Sequence, residues 1–204
     1  MISKLRSIVK KTHLPLLILY AAATISGCGT ESKPEGTAKT PEEVRSIYYE
    51  DYINKKLSLA EYWAKKGSLS LMESELGLVE GVVEKSGHDV SERVKDVYAM
   101  LINERLSWAE SYAKDGSNLF VKSELGLVEG VVEKSGHDVS ERVKDVYAML
   151  INERLSWAEG FAKRGWLPLM EDELRIVEKI GEKSGQDIST LVQKIRDTYS
   201  KKKL

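Results

Sequence analysis

SELGLVEGVVEKSGHDVSERVKDVYAMLINERLSWAE runs from Ser74 to Glu110 and returns without a single change from Ser123 to Glu159, an offset of 49 residues. Exact recurrence at this period is the mark of a repeat architecture, in which each unit buries its apolar face against the next. The register extends outward in weaker form. Ile53, Asn54, Leu57, Ser58, Ala60, Glu61 and Ala64 match Ile102, Asn103, Leu106, Ser107, Ala109, Glu110 and Ala113. Downstream, Glu173-Leu174, Val177-Glu178, Glu182-Lys183-Ser184-Gly185 and Asp187 continue it. Three units therefore account for most of the chain beyond residue 40.

Inside a unit the apolar period is helical. Val139, Val143, Val146, Tyr147, Leu150, Ile151, Leu155, Ala158, Phe161 and Ala162 step by three and four, which sets them on one face of a long helix. Gly67, Gly116 and Gly165 follow cations where that helix should stop. A shorter stripe comes next, Leu76, Val79, Val82 and Val83 in one copy and Leu125, Val128, Val131 and Val132 in the other, closed by Gly87 or Gly136. The pattern predicts an all-α fold of three tandem 49-residue helical hairpins, a short α-solenoid or compact bundle. About seven helices are expected, at 41–66, 69–86, 89–115, 118–135, 138–164, 167–184 and 187–200. Thr40-Pro41-Glu42-Glu43 supplies a capping box for the first of them.

The amino-terminal 27 residues read differently. Lys4, Arg6, Lys10 and Lys11 precede an apolar run from Leu14 to Ile25, the layout of a secretory signal peptide. The run is too short to cross a bilayer, for which about 20 residues are needed. Ile25-Ser26-Gly27-Cys28 resembles the lipobox of bacterial lipoproteins, and the resemblance covers this export segment alone. It implies cleavage before Cys28, the chain's one cysteine, and lipidation of that residue. The polar stretch GTESKPEGTAKT would then be a tether reaching about 20 Å. The expected organisation is a signal peptide at 1–27, a lipidated cysteine and tether at 28–40, and a repeat domain at 41–204. Its units would fall at 41–88, 89–137 and 138–186, with a final helix at 187–200. The expected address is extracytoplasmic, on the outer membrane or cell surface where the host has one.

Functional signals are sparse. The motif Ser-Gly-His-Asp recurs at 86–89 and 135–138 and becomes Ser-Gly-Gln-Asp at 184–187. The turn glycine and the capping aspartate are kept while His88 and His137 give way to Gln186, so the motif reads as a joint, with Asp89 and Glu92 closing a second capping box. A metal or catalytic site at these turns is the remote alternative, since His with Asp supplies too few ligands. No phosphate-binding glycine loop, His-Glu-x-x-His pair, Gly-x-Ser-x-Gly elbow or cysteine cluster occurs. The sequence thus points to no catalytic residue, no metal, no cofactor and no small-molecule substrate. From Cys28 onward 27 bases face 32 acids, a net charge of −5 that argues against nucleic acid. The C-terminal Lys201 to Lys203 read as a solvated tail.

Two features remain. Gly77 and Gly81, like Gly126 and Gly130, sit four apart inside the short helices, where each costs about 1 kcal/mol relative to alanine. Packing between neighbouring units is the expected reason, since Arg175 and Lys179 replace them in the last copy; a partner's docking groove is the alternative. Trp108 and Trp157 lie at the edge of the long-helix stripe, as inter-repeat contacts or, again, a partner surface. The function expected from these features is that of a lipid-anchored helical-repeat module binding an envelope or surface protein. A structural spacer whose reach depends on repeat number is the alternative.

Overall fold

The computed structural model describes Thr40 to Ser200. The export segment, Cys28, the tether up to residue 39 and Lys201 to Lys203 lie outside the described residues. Seven helices and no strand occupy the described chain: α1 (Pro41–Lys65), α2 (Leu69–Ser86), α3 (Ser91–Lys114), α4 (Asn118–Ser135), α5 (Ser140–Lys163), α6 (Leu167–Ser184) and α7 (Ser189–Ser200). Long and short helices alternate as the two stripes predict.

Local chemistry sets the ends. Thr40 caps α1 through its hydroxyl, which accepts from Glu43 N–H at 3.2 Å, while the Glu43 carboxylate accepts from Thr40 N–H at 2.6 Å. Two of the orphan donors at the start of the helix are thereby satisfied reciprocally. Helices α2, α4 and α6 stop at Gly87, Gly136 and Gly185, each left-handed with φ near +70°. Only glycine enters that region without a steric penalty from Cβ.

The second capping box does not form. Helices α3 and α5 begin two residues later than expected, after Val90 and Val139, and neither has a side-chain cap. Asp89 instead turns back on its own loop: Ser91 N–H and Oγ–H donate to Oδ1 at 2.9 and 2.7 Å. Asp138 and Asp187 do the same with Ser140 and Ser189. The short Asp side chain reaches the N–H two residues on before a helix can form around it. Glu92 and Glu141 then point outward to Lys95 and Lys144.

Packing follows the repeat. Each long helix lies against its own short helix, and α1, α3 and α5 pack in succession as one layer; the short helices form a second, looser layer. The core runs through the interior of both, from Ile53, Leu57 and Met72 through Leu101, Leu106 and Leu125 to Leu150, Leu174 and Val192. One ion pair ties each hairpin at the same place: Lys56–Glu75, Arg105–Glu124 and Arg154–Glu173, all at 2.8 Å and all largely buried. Between units, Arg93 on the first turn of α3 donates to Asn54 and Glu61 in the second half of α1. Arg142 repeats this with Asn103 and Glu110. Helices α3 and α5 therefore each start beside the second half of the long helix before them, and the units step along the stack.

Candidate functional site

The Ser-Gly-His-Asp turns are joints in the structure. His88 N–H donates to Ser86 Oγ at 3.4 Å and His137 N–H to Ser135 Oγ at 3.1 Å. The Ser135 hydroxyl in turn donates to Val132 carbonyl at 2.8 Å. These are turn-closing bonds with no base aimed at a hydroxyl. Hydrogen bonds from the following serine hold the aspartates below the usual carboxylate range. For Asp89 the Ser91 N–H is the larger cause; for Asp138 and Asp187 it is the hydroxyl. Gln186 replaces the histidine and donates back to Lys144 carbonyl on the long helix of its own unit at 3.1 Å. Among the described residues no group of three His, Cys, Asp or Glu side chains is placed to hold a metal ion.

The tryptophans mark where units meet. Trp108 lies on the turn at Gly67, so close that a Cβ there would sit 2.6 Å from its ring; Trp157 lies on Gly116, at 2.8 Å. Both glycines have φ near +65°. Arg105 stacks on Trp108 with its guanidinium carbon 4.8 Å from the ring centre, and Arg154 stacks on Trp157 at 4.7 Å. The same Arg105 donates to the Gly67 carbonyl of the preceding unit and to Glu124 of its own. One arginine thus joins a turn, an indole and a hairpin ion pair. Trp108 and Trp157 act first as contacts between repeats, Trp157 with an exposed edge besides.

The glycine pairs overturn the packing expectation. A Cβ built at Gly77, Gly81, Gly126 or Gly130 would meet nothing within 4 Å. At 100° per residue, Ser74, Gly77 and Gly81 lie on the side of α2 opposite the buried Met72, Leu76 and Val79. The Lys134–Glu73 ion pair at 2.6 Å joins α4 to α2 but leaves these glycines uncovered, and the units otherwise meet mainly through the long helices and the turns. The absence of a successor therefore does not explain Arg175 and Lys179 on α6, which are exposed as well. What the structure presents on α2 and α4 is a bare strip of backbone, flanked by Leu78, which is also exposed.

Sequence reasoning missed a third surface, the turns that join long to short helices. Between the identical stretches, residues 111–122 and 160–171 share only an Ala, a Lys and a Gly: Ala113, Lys114 and Gly116 against Ala162, Lys163 and Gly165. The shared residues are those the joint requires, a buried alanine and a glycine of positive φ. Among the divergent ones are Leu119, Phe120, Trp166 and Leu169, all exposed, as are Tyr62 and Leu71 in the first unit. The available signal was the divergence itself, confined to one segment of each copy. No family model, curated protein or solved structure matches this chain, so the reading of these surfaces rests on their geometry.

Proposed function

We propose that the chain is a lipid-anchored extracytoplasmic protein whose helical repeat docks another envelope or surface protein on the glycine face of α2 and α4. The observation that carries this reading is a cost without an internal return. Four glycines inside two helices forfeit about 4 kcal/mol of helix propensity at about 1 kcal/mol each, yet among the described residues none comes within 4 Å of a Cβ built there. Bare backbone on an exposed helix lets a partner helix approach more closely than any side chain would permit. The strip recurs at the same place in two successive units, which gives a partner two equivalent footholds. The Ile25-Ser26-Gly27-Cys28 motif supports the anchor, and the polar tether supports a domain held off the lipid within reach of a neighbour.

Two experiments test the parts separately. Intact mass and membrane fractionation of the native protein beside Cys28→Ser test the anchor: a diacylglyceryl increment on a chain starting at Cys28 is expected, and an unmodified soluble chain would overturn it. A photocrosslinking residue at Leu78, on the glycine face, should capture one defined envelope protein that the same residue at Leu191 on α7 does not. Equal capture at both positions, or none at either, would remove the glycine face as the docking site.

A further inference from the structure

The turns that join each long helix to its short helix carry a net positive charge in an otherwise acidic domain. Residues 62–73, 111–122 and 160–171 contain Lys65, Lys66, Lys114, Lys122, Lys163 and Arg164 against three acids, Glu73, Asp115 and Glu171, a net charge of +3. The remainder of residues 40–200 holds 16 bases against 27 acids, a net charge of −11. These six cations are all exposed. The same turns carry Tyr62, Leu71, Leu119, Phe120, Trp166 and Leu169, half the exposed large apolar residues of the described chain. They occupy equivalent positions in successive units, so the three turns form one row along the stack.

We infer that this row of turns rests on an anionic lipid surface. Three observations favour lipid over an acidic protein. First, aromatic rings and aliphatic side chains beside lysine and arginine suit a membrane interface, where the apolar part sinks between headgroups and the cation stays among the phosphates. Stacked pairs hold two of the rings in place: Phe120 on Tyr112 with centroids 5.0 Å apart, and Trp166 beside Phe161 at 6.1 Å. Second, one exposed position shared by the three turns at the repeat offset changes identity, Leu71, then Phe120, then Leu169, while staying apolar. A protein partner selects by shape and would constrain the residue; a fluid interface selects by class. Third, the rest of the domain carries a net negative charge, so an anionic surface favours this row over the remainder of the domain.

The contact goes beyond the docking of a protein partner and uses different residues. It needs no lipid on Cys28, although a short tether would raise the local concentration of the domain at the surface. It would also orient the stack, with the row of turns toward the membrane.

The test uses the full chain carrying Cys28→Ser, with a single new cysteine at Phe120 or Leu169 on the row, or at Leu78 on the glycine face, each labelled with a polarity-sensitive fluorophore. The chain is reconstituted with phosphatidylglycerol or phosphatidylcholine vesicles. Position-specific labels separate the turns from any membrane insertion by the apolar run at 14–25. At Phe120 and Leu169 a blue shift and a several-fold rise in emission are expected on phosphatidylglycerol. They should weaken with salt, be absent on phosphatidylcholine, and be lost when Lys65, Lys66, Lys163 and Arg164 are all changed to Glu with helicity intact. The Leu78 label should not respond. A silent row on phosphatidylglycerol, an equal response on neutral vesicles, an equal response at Leu78, or a response at the row only on adding an acidic protein would each overturn the inference.

Discussion

The turns at Gly67 and Gly116 share their backbone with the turn at Gly165 and differ from it in everything above the backbone. All three glycines have φ between +65° and +79°. Over the first two lies an indole from the next long helix; over the third a Cβ would meet nothing within 4 Å. Left-handed geometry is thus a local need of the turn, whereas close approach is a relation between units. The glycine serves both where a successor follows and only the first where the described chain has none. Trp166 and Leu169 accordingly remain exposed beside the third turn.

Substituting the glycines separates the two roles. Gly67→Ala and Gly116→Ala should each destabilise the fold by about 2 to 5 kcal/mol, combining left-handed strain of about 1 to 2 with overpacking of about 1 to 3. Gly165→Ala should cost only the strain, about 1 to 2 kcal/mol. Urea unfolding monitored by helical circular dichroism reads the difference; equal losses at all three positions would mean that the indoles yield freely. Trp108→Ala attacks the same joint from the other side. Because the ring is half-buried, the loss should be about 2 to 3 kcal/mol, below the roughly 3 to 5 of a fully enclosed indole, against about 0.5 kcal/mol or less for Trp166→Ala.

The middle of the short helices offers the opposite case, glycine with neither positive φ nor a neighbour. Gly77→Ala, Gly81→Ala, Gly126→Ala and Gly130→Ala should each stabilise the fold by about 0.5 to 1 kcal/mol. A loss at any of them, read in the same urea series, would reveal a packing role that the open space at these positions does not suggest.

The smallest effect lies at the joints after Gly87, Gly136 and Gly185. Asp89, Asp138 and Asp187 are held below the usual carboxylate pKa, so their contribution is complete above the unfolded value of about 3.9 and disappears as pH falls through the folded one. Acid should therefore fray the starts of α3, α5 and α7. Replacing all three with Asn, which keeps an oxygen acceptor without the charge, should flatten the acid limb of a helicity titration; an unchanged limb would place the sensitivity elsewhere.

Much of the fold was legible because one signal dominated. Apolar spacing of three and four, repeated at an offset of 49, fixed the number, type and order of the helices, and the glycines fixed their ends. The starts of α3 and α5 were not legible, since Asp89 can serve a capping box or turn back to Ser91, and the sequence does not rank two bonds of similar length. The contacts between units were hidden for another reason. Identical copies reveal that units repeat but not which surfaces meet, so Trp108 on Gly67 and the uncovered Gly77 were equally consistent with the pattern. The basic turns were written plainly in the chain, yet a net charge averaged over the domain concealed them.

The most direct test of docking on the glycine face takes one variant, Gly77→Ala, Gly81→Ala, Gly126→Ala and Gly130→Ala together, and measures its capture of an envelope protein by the crosslinker at Leu78 alongside its unfolding midpoint in urea. The expected result is a more stable domain that no longer captures the partner. A more stable domain with capture undiminished would contradict the proposal, because the bare backbone would then serve neither the fold nor the contact.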